Sequence, residues 1–140
     1  MTIDTGFYLR CIQTLELALE RLEQSEPDSI DYEMFRSACV KEFEIILEQS
    51  GKLLRKCLKS WFHSPKEADR LVFKDIFRKA AQHDLIDLEA AERWLNYRDN
   101  RNNTAHDYGK KFAEVTVKLL PPFIQDARAL EQTLRQCPND

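Results

Sequence analysis

The chain has 140 residues, 43% apolar and 32% charged, with a net charge of −3 and a pI near 5.7. That is enough for one domain with a real core, spanning 1–140, and only three Gly with five Pro argue against a turn-rich β architecture in favour of long helices. No apolar run approaches the ~18–20 residues that span a bilayer, the start MTIDTGFYLR lacks a signal layout, and the acidic balance argues against bulk nucleic-acid binding but not against one local site.

The expectation is a cytoplasmic protein with no membrane contact. Its cysteines, Cys11, Cys39, Cys57 and Cys137, form no C-x-x-C and stand at no ligand spacing from a His. They read as small apolar helix residues kept reduced, with no metal and no cofactor implied.

From the N-terminus, Leu9, Ile12, Leu15, Leu19 and Leu22 recur at steps of three and four, which predicts a helix over Asp4–Gln24. Pro27 lies in the break at Ser25–Ser29. The longest helix is expected over Tyr32–Phe62, with a seam through Phe35, Cys39, Phe43, Ile46, Ser50, Leu53, Cys57 and Trp61. Gly51 inside it is either a close helix crossing or a tolerated breaker costing about 1 kcal/mol against Ala. Glu44 and Glu48, one turn apart, share a face.

Ser64-Pro65-Lys66-Glu67 has the form of a helix start, with a capping Ser, Pro at the first helical position and Glu three after the Ser. That helix is expected to reach about His83 with Leu71, Phe73, Ile76, Phe77 and Ala80 inward; His63 reads as a turn residue and His83 as the helix end. Asp87 caps the next, Leu88 to roughly His106, with Ala91, Trp94, Leu95 and Tyr97 inward. Arg98, Arg101, Ala105 and Tyr108 form another stripe. Gly109 breaks the chain. The last helix runs from Lys110 to about Gln136 on a stripe of Phe112, Val115, Leu119, Phe123, Ala127, Leu130 and Leu134. Pro121-Pro122 is expected to kink or split it. The fold class is all-α, an antiparallel four- to five-helix up-down bundle.

Chemistry concentrates in WLNYRDNRNNTAHDY, Trp94 to Tyr108. From Arg93 to Lys111 five cations (Arg93, Arg98, Arg101, Lys110, Lys111) meet two anions (Asp99, Asp107), a positive island on an acidic chain. Arg101 carries a permanent bidentate fork suited to phosphate, His106 is of the residue type that can serve as base or acid near neutral pH, and Asn102 could orient it or contact RNA. On a regular helix Arg101 and His106 point about 140° apart. They meet only if the helix ends there, a neighbouring helix supplies groups, or a second subunit completes the site. The residues alone also fit a plain helical adaptor.

Arg101-Asn-Asn-Thr-Ala-His106-Asp-Tyr108 is R-x4-H-x-Y. In chain order, Phe43-Glu44 with Glu48, Phe73-Lys74-Asp75-Ile76, and Trp94-x2-Tyr97-Arg98-Asp99-x-Arg101-Asn102 stand before it. This ordered set resembles the HEPN superfamily (higher eukaryotes and prokaryotes nucleotide-binding), and within it the nucleotidyltransferase substrate-binding proteins or HepT-like toxins. The resemblance implies a HEPN-like bundle acting as a homodimer, a metal-independent endoribonuclease with Arg101 and His106 catalytic. It further implies RNA binding by Arg98, Asp99 and Asn102, with Glu44 and Glu48 supporting. It implies a partner minimal nucleotidyltransferase, the antitoxin, that silences the toxin by transferring AMP to Tyr108. The alternative within the family is a non-catalytic nucleotide-binding subunit of a two-component nucleotidyltransferase.

Overall fold

The computed structural model describes residues 1–103 and 110–139. Its elements are helices: α1 (Gly6–Glu23), α2 (Ile30–Leu58), α3 (Pro65–Asp69), α4 (Phe73–Gln82), α5 (Leu88–Asn103) and α6 (Lys110–Leu134), with a single 3-10 turn at Lys59–Trp61. Among the described residues none forms a strand; Thr2 and Pro138 make one isolated antiparallel bridge that brings the two ends together. The helices pack as a bundle in which α2 lies against α1, α4 and α6, and α5 lies against α4 and α6. No described helix is long and apolar enough to cross a membrane.

The helices form where the three-four spacing of apolar residues lets one stripe be buried. Ile12, Leu15, Phe43, Ile46, Leu54, Phe77, Trp94 and Phe123 are all fully enclosed, each contributing about 1.5–3 kcal/mol of burial. Caps set two of the starts. The Ser29 hydroxyl accepts from the Tyr32 amide at 3.0 Å, and the Asp87 carboxylate accepts from the Ala90 amide at 2.7 Å. Gly51 is a close crossing, because a Cβ there would stand 3.1 Å from the Phe73 ring.

Several expectations need correction. The single helix expected after Ser64 is two, α3 and α4, and Ser64 makes no side-chain cap. The Leu71 carbonyl, which a continuous helix would offer to Asp75, accepts instead from Arg55 Nη2 at 2.7 Å; Val72 is extended, and the helix restarts at Phe73. Pro121-Pro122 does not split α6. Both prolines are exposed, so the carbonyls one turn back can be hydrated, while Leu120, Phe123 and Ala127 hold the helix from its buried side.

Val115 is exposed and Thr116 buried, so the α6 stripe is out by one residue in its first turns; Trp61 is exposed too, its ring stacked on His83 at 4.5 Å. The cysteines are not all reduced. Cys57, at the end of α2, and Cys137, in the C-terminal tail, lie with Cα atoms 5.6 Å apart and are joined by a disulfide, leaving Cys11 and Cys39 as buried free thiols.

Candidate functional site

Helix α5 carries most of the polar stretch, and its buried side decides how that stretch is presented. Trp94 stacks on Phe77 at 5.1 Å and meets Phe123 edge-on at 5.5 Å, and Tyr97 meets Phe123 edge-on at 5.0 Å. A polar node fixes the roll. Asp126 of α6, 8% exposed, accepts from Arg93 Nε and Nη2, both at 2.9 Å, and from the Tyr97 hydroxyl at 2.6 Å. Burial, and then the hydrogen bond to Asp126, push the Tyr97 phenol well above its ordinary range, so it stays a donor. Asn100 adds a bond to Thr116 Oγ1 at 3.2 Å.

With that side locked, Arg98, Asp99, Arg101 and Asn102 fall away from the core. The Arg98 guanidinium lies 4.9 Å from the centre of the Phe73 ring, a cation–π seat worth about 0.5–2 kcal/mol. The ring's edge rests on Gly51 and its neighbour is Phe77 at 4.6 Å, so α2, α4 and α5 together position Arg98. Beside it a groove of about 470 Å³ opens between α4 and α5; Arg98, Asp99 and Asn102 line it, with Phe73 and Lys74 opposite. Arg101 stands half-buried in the last described turn of α5, next to Asn102.

The two glutamates expected to support the site separate. Glu48 lines a smaller groove of about 180 Å³ on the other side of the Arg98–Phe73 pair, and is exposed, with Lys52 at 3.3 Å. Glu44 lines a different groove of about 420 Å³ between α2 and α6, with Arg36, Lys41 and Lys110. There Glu114 accepts from Arg36 at 3.1 Å and from Tyr32 at 3.0 Å, which ties the start of α6 to the start of α2. His106 and Tyr108 lie outside the described residues.

Arg93, counted in the positive island, is neutralised by Asp126, so the local excess of charge rests on fewer groups. The node is the feature sequence reading missed. Its signal was a carboxylate between Phe123 and Ala127, on the buried stripe of α6. Among the described residues no three His, Cys, Asp or Glu side chains are grouped to hold a metal ion. The charged and amide groups that converge suit a phosphate, a ribose hydroxyl or a base edge.

Known proteins resemble this chain in sequence and in fold. A family model described as nucleotidyltransferase substrate binding protein like matches residues 8–136. The probable ribonuclease HepT of Haemophilus influenzae is 26% identical over 134 residues, covering 96% of this chain and 90% of its own. The solved structure of a Haemophilus influenzae protein, described as the fold of a substrate-binding domain of a nucleotidyltransferase, superposes with a TM-score of 0.81 at 24% identity, covering 95% of this chain and all of that one. A Thermus thermophilus structure superposes with a TM-score of 0.71 at 22% identity, covering 92% and 99%.

Proposed function

Since the chain belongs to the nucleotidyltransferase substrate-binding protein-like family, we propose that it is a HEPN-type toxin, a metal-independent endoribonuclease held in check by a partner minimal nucleotidyltransferase. Arg101 and His106 are its catalytic pair and work across a homodimer, which removes the need for one helix to bring them together. One His106 takes the proton of a ribose 2′-hydroxyl. That oxygen attacks the adjacent phosphorus, the bond to the 5′-oxygen breaks, and a protonated imidazole returns a proton to the leaving oxygen. Arg101 stabilises the charge that builds on the non-bridging oxygens. Arg98, Asp99 and Asn102 hold the strand; Glu48 shares a smaller groove with Arg98, while Glu44 lies in the separate α2–α6 groove. AMP transferred to Tyr108 adds negative charge beside the phosphate site and silences it.

The observation that carries this reading is the meeting of Arg98, Asp99 and Asn102 at one groove, on either side of Arg101 and shortly before His106 in the chain. The similarity to a probable ribonuclease supports it. The test is cleavage of RNA by the purified protein in EDTA. Wild type is expected to cut, and Arg101→Ala and His106→Ala to lose at least a hundredfold in rate, consistent with removal of a transition-state donor or a proton carrier. Absence of cleavage by wild type, with mass spectrometry showing no adduct on Tyr108, overturns it.

The family's description favours a second reading, a non-catalytic subunit that binds the nucleotide on which a separate nucleotidyltransferase acts. A protein of that kind is harmless when expressed alone, yet binds nucleotide or raises the partner's activity.

A further inference from the structure

We propose that the groove between α4 and α5 is a binding track for single-stranded RNA, in which Lys74 and Arg78 of α4 hold backbone phosphates next to the one reached by Arg98. This rests on the ribonuclease reading above and extends it to the wall opposite the motif. The groove's volume, about 470 Å³, falls in the range of sites that enclose a nucleotide-sized ligand. Its lining runs from Val72 to Arg78 on the α4 wall and from Glu92 to Asn102 on α5, so a strand lying in it reaches the last described turn of α5, which carries Arg101.

The two cations on its α4 wall line the groove and are unpaired among the described residues, unlike several arginines elsewhere in the molecule. Arg36, Arg93, Arg128 and Arg135 are each held by a carboxylate. Lys74 and Arg78 are both exposed, and neither makes an ion pair with a described residue. They stand four residues apart on one face of α4, with Cβ atoms about 5–6 Å apart, a spacing on the scale of successive phosphates in an extended strand. Across the groove α5 presents Leu95 as an apolar surface and the Asn96 and Asn102 amides as donors and acceptors for base edges.

Two carboxylates, Glu92 and Asp99, share the lining. They would oppose a bare polyanion, but they are acceptors for ribose 2′-hydroxyls and base amino groups, which is the chemistry of RNA recognition. The α2–α6 groove is a poorer candidate, because its Arg36 is already bound by Glu114.

The experiment uses the full chain with His106→Ala, which does not depend on cleavage, and a 5′-fluorescein-labelled 12-nucleotide RNA, read by fluorescence anisotropy across a potassium chloride series. Adding Lys74→Ala and Arg78→Ala is expected to raise Kd at least tenfold. It should also reduce the slope of log affinity against log salt by about 1.4, at about 0.7 per single-strand phosphate contact. Adding Lys74→Arg and Arg78→Lys keeps most of the affinity. Arg10→Ala with Lys118→Ala, which removes two exposed cations of α1 and α6, leaves Kd and slope as they were. All four substituted positions are exposed, and unchanged helix content by circular dichroism accompanies each measurement.

The proposal is overturned if the Lys74/Arg78 alanine pair binds like its parent. It is equally overturned if both alanine pairs weaken binding alike, which marks bulk charge, or if the parent binds no RNA. Wild-type cleavage of RNA with Lys74 and Arg78 dispensable for binding removes the track and leaves the ribonuclease. Binding that depends on these two residues in a wild type that never cleaves removes the ribonuclease and leaves the track.

Discussion

The two free thiols illustrate what burial does to a single residue. Burial, together with the nearby charge of Glu42, pushes the Cys11 thiol from its ordinary 9.0 to about 11; burial with Glu23 does the same for Cys39. Both are therefore neutral and unreactive at physiological pH. Iodoacetamide at pH 8 is expected to leave Cys11 and Cys39 unmodified in the native protein and to alkylate both in urea, as read by mass spectrometry; native alkylation within minutes would contradict the packing described. The sign of the pH dependence follows. In the unfolded chain these thiols ionise near 9, so between about 9 and 11 the unfolded state binds fewer protons than the native state, and stability falls as pH rises through that window. The urea midpoint should be level from about pH 7 to 8.5 and lower by about pH 10. Sequence periodicity found the Cys39 side of the seam, but it could not show that Arg93 is paired. Its acceptor is 33 residues away on another helix, and a charge on an exposed-looking turn reads the same whether or not a partner arrives.

At the scale of elements, one carboxylate of α6 ties two side chains of α5. Asp126→Ala strips the acceptor from both Arg93 and the Tyr97 hydroxyl and is expected to cost about 2–4 kcal/mol in urea unfolding. Asp126→Asn, which keeps an oxygen for Tyr97, should lie between wild type and Ala. A loss below about 0.5 kcal/mol for Ala would mean the node does not fix the roll of α5. The main helices were legible in their three-four spacing, and Asp87 was legible as a cap, because both signals are local. The division of α3 from α4 was not, since it depends on Arg55 reaching across from α2 to the Leu71 carbonyl. The uninterrupted α6 was not either, because the effect of Pro121-Pro122 depends on which side of the helix faces water. The same limit applies to the glutamates. Glu44 and Glu48 share a face of α2, yet the helices that cross it divide that face into two grooves.

For the molecule as a whole, few Gly and Pro made an all-helical chain the expectation, and the bundle bears that out. The Cys57–Cys137 disulfide left no trace in the sequence. Two cysteines 80 residues apart carry no spacing signal, and only the packing of the C-terminal tail against the end of α2 brings them together. Closing a loop of that length removes unfolded-state entropy worth about 4–5 kcal/mol. Dithiothreitol is expected to lower the Tm by about 15 °C, and Cys137→Ser to reproduce the reduced value without responding to reductant. Equal Tm values with and without dithiothreitol would show the bond to be absent in solution.

The same bond reroutes mechanical load. Tension applied between the first and last residues enters α1, travels along α2 to Cys57, crosses the sulfur bridge to Cys137 and leaves by the tail. Residues 58–136, which include α3 to α6 and the R-x4-H-x-Y stretch, lie off this covalent path as a closed loop, so once the folded contacts give way and the oxidised chain is taut they carry no tension. Stretched to its limit in an optical trap, the oxidised chain should lengthen to roughly 200 Å, against roughly 480 Å once reduced. The half of the protein that bears the proposed chemistry thus cannot be drawn out to full length by a pull on the ends while the bond is intact.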